Sequence, residues 1–227
     1  MIDQRKSMIT DNIQFFENQL AGTSCRLVTV TKTHSVERLR EAYAAGARLF
    51  GENKVQEMAA KQPELPADIE WHLIGHLQTN KVKYIAPFVH TIQSVDSLKL
   101  LLEIDKQAAR HHRVINGLLQ FHLATEETKT GLTLPEAEEI LRADAFRVLR
   151  HVRLTGVMAI ATNTADETQL RREFRELRRC FEQLKTRYFA DREDFREISM
   201  GMSSDYQLAI AEGSTLIRVG SAIFGMR

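Results

Sequence analysis

At 227 residues, with 43% hydrophobic and 27% charged side chains, the chain can bury one substantial core and is neither a disordered segment nor a small disulfide-stapled scaffold. Its 31 basic and 30 acidic residues leave a formal net charge of +1, so no global field draws nucleic acid or an anionic membrane surface, and any anion site must be local. Two cysteines, Cys25 and Cys180, are too few and too far apart for a metal pair or a disulfide framework, which points to a reducing compartment.

The opening stretch MIDQRKSMITDNIQFFENQL places Ile2, Met8, Ile9, Ile13, Phe16 and Leu20 at helical spacing, so an N-terminal helix is expected. Its interspersed charges break any signal-peptide run and no later stretch reaches transmembrane length, which makes the cytoplasm the expected location. The β-branched run RLVTVTK follows, and from there short apolar runs alternate with amphipathic stretches to the end of the chain. Eight strand candidates fall near residues 27, 48, 71, 89, 116, 154, 196 and 216. Eight strands separated by helices predict an α/β fold, a closed (β/α)8 TIM barrel with an extra N-terminal helix. No linker-like composition divides the chain, so residues 1–227 are read as a single domain.

In such a barrel, functional groups gather where strands end and the following loops begin. The period of two in Leu27-Val28-Thr29-Val30-Thr31-Lys32 puts Val28, Val30 and Lys32 on one face, with Lys32 at the strand's C-terminal end. A lysine facing the interior is desolvated, which disfavours the ammonium form and makes the amine a better nucleophile toward an aldehyde. The alternative is a lysine with a packed stem and a solvated head, and position by itself leaves both open.

Two loops near the C-terminus suit a phosphate. Ser199-Met200-Gly201-Met202-Ser203-Ser204-Asp205 combines small residues with hydroxyls ahead of an amphipathic segment, although Ser203 or Ser204 could equally be a plain helix cap. Ile217-Arg218-Val219-Gly220-Ser221 repeats the pattern one loop later, and the alternation that sets Leu216 and Arg218 opposite Ile217 and Val219 points Arg218 inward beside Lys32. Asn53 in GEN and His76 in IGH stand at further strand ends, where a cap or a structural hydrogen bond is an equal reading. The other histidines, including His111 and His112, lack metal-ligand spacing, and no metal is expected.

Together the stretches TVTKTH, FGENKVQE, WHLIGHLQTNK, GVMAIA, ISMGMSSD and GSTLIRVGSAIFG resemble the pyridoxal phosphate homeostasis proteins over nearly the whole chain. The resemblance implies the barrel of the alanine racemase N-terminal domain, fold type III among enzymes of this cofactor. It implies pyridoxal 5'-phosphate as ligand, with Lys32 as the Schiff-base lysine and Ser199, Ser203, Gly220 and Ser221 as the phosphate cradle. Met200, Gly201 and Met202 would shape the cradle's wall, Arg218 would face the pyridine nitrogen, and Asn53 would stand near the ring. His76 matches a motif histidine without an assigned role, and Lys129 in EETKTG matches a loop lysine. The chain departs from the family's commoner wording at His34, Ser35, Phe121 and His122, which touches the rim more than the anchor.

What the resemblance implies is storage, buffering or delivery of the cofactor, with apo enzymes that use it as recipients and a monomer as the working unit. A guanidinium cannot hand a proton to the ring nitrogen, and the chain ends at Arg227 directly after IFGM, so no second general base for racemisation is expected. The alternative reading is a racemase or lyase of low activity acting through Lys32.

Overall fold

The computed structural model describes residues 7–123 and 131–225. Eight strands run in chain order: β1 (Arg26–Val30), β2 (Leu49–Glu52), β3 (Glu70–Leu73), β4 (Thr91–Val95), β5 (Ile115–Phe121), β6 (Val152–Ala159), β7 (Glu197–Ser199) and β8 (Leu216–Val219). Each pairs in parallel with the next, and β8 closes on β1 from Arg26↔Leu216 to Thr29↔Val219. All eight expected strands are present and the barrel is closed. The fourth starts at Thr91 rather than around Val89, which is instead a buried apolar residue of the connection.

The expected N-terminal helix is α1 (Met8–Leu20), capped by Ser7, whose hydroxyl accepts from Thr10 N. It buries Ile9, Ile13, Phe16 and Leu20 against the barrel's flank, and Asn12 Nδ2 donates to Ile223 O at 2.9 Å. Met8, expected on the apolar stripe, is exposed because it lies at the first position of the helix, beyond the packed face; Ile2 lies outside the described residues. Between the strands come α2 (Val36–Ala44), α3 (Val55–Lys61), α4 (Val82–Ile85), α5 (Leu98–Arg110), α6 (Leu134–Arg142), α7 (Asp144–Arg147), α8 (Glu167–Tyr188) and α9 (Tyr206–Ala211), and α10 (Ser221–Phe224) follows β8. Among the described residues no helix is long and apolar enough to cross a membrane. Cys25 and Cys180 are buried and unbridged, and burial raises both thiols to about 11.

Alternation along the strands divides the apolar residues into two clusters. Outward residues such as Phe50, Leu73, Ile92, Ile217 and Val219 join the helices in the large core between sheet and helix ring. Inward residues Val28, Leu118, Met158 and Leu216 form a small plug on the barrel axis. Polar inward positions such as His72, Gln93 and Arg218 lie above and below this plug, toward the two mouths.

At Gly156 on β6 an added Cβ would lie 1.9 Å from Glu197 O of β7. Only backbone movement relieves that overlap, so Gly156→Ala should lose about 1–3 kcal/mol of stability. A shift in the urea midpoint measures it, and an unchanged midpoint would mean that β6 and β7 can separate freely.

Candidate functional site

The C-terminal mouth holds a cavity of about 810 Å3 to which most of the strand ends contribute. Lys32, Asn53, His76, Met202, Ser203, Arg218, Gly220 and Ser221 all line it, so eight of the sequence-predicted residues converge although they are spread over nearly the whole chain.

Lys32 stands just past β1, in a turn rather than on the strand. Thr31 N still donates to Gly51 O at 2.9 Å, after which His34 N returns to Thr31 O at 3.2 Å and Thr33 takes the left-handed conformation at φ 66°. A threonine in that region is uncommon and must be held there by its surroundings. Here the restraint is a buried charge cluster. Lys61 Nζ, at the end of α3, donates to Thr31 O and to Glu52 Oε1, both at 2.8 Å, and to Glu57 Oε1 at 2.6 Å. Thr31 Oγ1 donates to Glu52 Oε1 at 2.7 Å, and Thr33 N donates to Glu57. The residues on both sides of half-buried Lys32 are therefore pinned by one ammonium and two carboxylates. Desolvation raises Glu52 despite its bonds from Lys61 and Thr31; Glu57, less desolvated, is lowered by Lys61 and Thr33.

On β8, the strand paired with β1, stands Arg218, 4% exposed, with Nη1 donating to Ser199 Oγ at 2.7 Å and Nη2 to Ala159 O at 2.9 Å. Burial pushes its guanidinium down to about 10 against the pull of Asp205, so it stays charged at neutral pH. Among the described residues no carboxylate lies within ion-pair distance of it.

A guanidinium can only donate, so Ser199 must pass its own proton on to Gln93 Oε1, 2.6 Å away. The amide of Gln93 then donates to His72 Nδ1 at 2.8 Å, which leaves the proton of the neutral His72 ring on Nε2. Desolvation, aided by the charges of His90 and Arg26, lowers His72 to about 3.

The phosphate-type loops meet at one wall, where Ala222 N donates to Ser203 Oγ at 3.4 Å and Gly220 lies against the end of β1. Neither Ser203 nor Ser204 caps α9; that position is taken by Asp205, whose Oδ1 accepts from Met202 N at 2.5 Å. Ser199, Met200 and Gly201 do not line the cavity but lie beneath it. Ser199 is fully buried under Arg218, the Met200 side chain belongs to the outer core, and Gly201, at φ +92°, gives its carbonyl to Arg218 N at 2.9 Å.

Asn53 is not a helix cap, since α3 starts one residue later with Lys54 at its N-cap, and the backbone of Asn53 lies so close to Gly75 that a Cβ there would be 2.3 Å from Asn53 O. His76 is on the exposed rim, 3.3 Å from Asp96 Oδ2. Lys129 lies outside the described residues. His34, at the rim, and Ser204, in the phosphate-type loop, also line the cavity, as do Ile74, Gly75, Gln120, Ile160 and Gly225, which the sequence reading did not single out. Gln120 was accessible to it, because the alternation that turns Leu118 inward on β5 also turns Gln120 inward. His34, stacked on Phe224 with ring centroids 4.3 Å apart, depends on a contact no local pattern announces.

The model of the alanine racemase N-terminal domain matches residues 5–227. The pyridoxal phosphate homeostasis protein of Aquifex aeolicus is 36% identical over 227 residues, covering 99% of this chain and 97% of its own. That of Pseudomonas aeruginosa is 39% identical over 203 residues, covering 88% and 84%. The chain belongs to this family. The resemblance read from its motifs is borne out over the full length. Among solved structures, PipY of Synechococcus elongatus without PLP superposes with a TM-score of 0.88 at 37% identity, covering 96% of this chain and all of that one. PipY with PLP bound gives 0.86 at the same identity. An alanine racemase from Bartonella henselae, 15% identical with a TM-score of 0.74, shares the fold over 58% of its own length.

Proposed function

We propose that this chain binds pyridoxal 5'-phosphate in the C-terminal cavity, linked as an imine to Lys32, and stores, buffers or delivers it without turnover. The observation that carries this reading is the convergence on one cavity of an amine in a clamped turn, a buried guanidinium with no ion-pairing carboxylate among the described residues, and a wall of hydroxyls and glycine. When bound, the cofactor supplies an aldehyde that condenses with a primary amine and releases water.

Each residue has a task that follows from its chemistry. Lys32 offers the amine. Ser203, Ser204, Gly220 and Ser221 present small groups and hydroxyls to a phosphate. Arg218, anchored by Ser199 and Ala159 O, donates toward a ring nitrogen or another acceptor and cannot give its proton away. Among the described residues lining the cavity there is no carboxylate and no tyrosine, so no strong base faces Lys32 from across the ligand. That arrangement supports holding over racemisation. His76 and Met202 stand exposed at the rim, which leaves a route by which a ligand could enter and leave.

Incubation with pyridoxal 5'-phosphate, borohydride reduction and peptide mass spectrometry test the proposal. The reduced adduct is expected on the peptide containing Lys32, with no deuterium exchange at the α-carbon of added amino acids. An adduct on another lysine would overturn the anchor, and exchange that depends on Lys32 would make the chain an enzyme.

A further inference from the structure

The opposite mouth of the barrel holds a second cavity, of about 290 Å3, roofed by Leu118 and Leu216 of the inner plug and otherwise polar. We propose that Glu70, His72 and His90 bind a divalent transition-metal ion there. The proposal is independent of the reading of the upper mouth.

The placement follows from strand geometry. Glu70 and His72 are two apart on β3 and share its inward face. Pairing of His72 with Thr91 on β4, together with the bond from His90 N to Trp71 O at 2.9 Å, sets His90 beside them. One donor atom from each of the three lies within 4.8 Å of the others. A four-coordinate ion with bonds of about 2.0–2.2 Å keeps its ligands roughly 3.3–3.6 Å apart, so the three side chains need to close by about 1 Å. Glu70 and His90 are half-buried, and His90 closes on the ion either through Nε2 or by releasing Nδ1 from Thr91 Oγ1, 2.9 Å away, whereas His72 is fixed by Gln93.

An independent observation points to a ligand. His72 is 2% exposed, and its Nε2 has no hydrogen-bond partner among the described residues although the ring lines the cavity. A buried polar atom left in that state is costly, and a bond to an ion relieves it. Ligation through Nε2 moves the ring proton to Nδ1, and Gln93 then turns its amide so that the oxygen faces the ring; its NH2 donates to Ser199 Oγ alongside Arg218, and the Ser199 hydroxyl gives up its bond to Gln93. Gln93 is thus the orienting partner of the ligand.

The local charges leave room for a cation. Three arginines line the same mouth, but Arg26 and Arg196 face Glu197 at 2.8 and 3.6 Å, and Arg153 faces Asp194 at 3.4 Å. Glu70 instead faces an imidazole, His90, at 3.7 Å. Two imidazoles with one carboxylate suit zinc, nickel or cobalt better than magnesium or calcium, and the open side of the cavity supplies a fourth position for water.

Calorimetric titration of the full chain with Zn2+, and with Co2+ as a visible spectroscopic probe, provides the test. One ion per chain and the d–d bands of a low-symmetry Co2+ site are expected. Affinity should fall about 100-fold in His90→Ala and Glu70→Gln, which change half-buried groups and should fold, and by roughly 10–100-fold in Gln93→Leu. His111→Ala and His112→Ala should leave it unchanged. Absence of stoichiometric binding, as for a cavity that holds only water, would overturn the proposal, as would binding that survives His90→Ala or is lost with His111 or His112.

Discussion

Lys32→Ala should abolish the visible imine absorbance on addition of pyridoxal 5'-phosphate and weaken retention of the cofactor by at least about tenfold, or 1.4 kcal/mol. The remaining grip, from Arg218 and the Ser203 and Ser221 wall, is non-covalent and should persist as slow-spinning fluorescence of bound cofactor. Lys32→Arg separates charge from chemistry: a guanidinium keeps the positive charge near a phosphate ligand but does not condense with the aldehyde under these conditions. It should therefore match the alanine variant in absorbance while retaining more cofactor in equilibrium dialysis. Full absorbance in either variant would move the anchor to another lysine and remove the main support for the proposed function.

The barrel was legible because its signal is repeated. Each inward–outward alternation is weak by itself, but eight in succession with helical stretches between them leave few architectures. The same alternation placed Arg218 inward, and the structure has Leu216 in the plug and Arg218 above it. Composition was a poorer guide within the Ser/Gly loops. Ser199 and Ser203 look alike in SMGMSS, but one is a buried support for a guanidinium and the other lines the cavity, a difference set by where β7 ends. Least legible was the restraint on the lysine itself. In FGENKVQEMAAK the acids and lysines resemble a solvated helix face, and only the fold turns Glu57 and Lys61, four apart on α3, back toward Thr31 and Thr33.

That restraint leads to a second large effect. Lys61→Met removes the ammonium that joins Thr31 O, Glu52 and Glu57, and it leaves the fully buried Glu52 carboxylate with the Thr31 hydroxyl alone. Breaking one side of a buried ion pair costs about 3–5 kcal/mol, and urea unfolding at neutral pH should show a loss of that size. Glu52→Gln in the same chain removes the stranded charge and should recover much of it, so the double variant should be more stable than Lys61→Met.

The sign of the pH dependence follows from Glu52. Desolvation already holds its folded value above the ordinary 4.5, and loss of Lys61 raises it further. A folded value above the unfolded one means that the native state binds the extra proton, so stability falls as pH rises from about 4.5 through the raised value. Glu57 acts in the same direction on the difference, because the stability it gains from Lys61 disappears from the parent chain once acid protonates it. The deficit of Lys61→Met should therefore narrow on acidification. With Thr31 and Thr33 released, imine formation at Lys32 should also slow, while Glu52→Gln/Lys61→Met recovers stability without recovering the rate, since neither Thr31 O nor Thr33 N regains its fixed partner. A loss below about 1 kcal/mol, or a rate that recovers together with stability, would show that the cluster supports the fold without holding the turn.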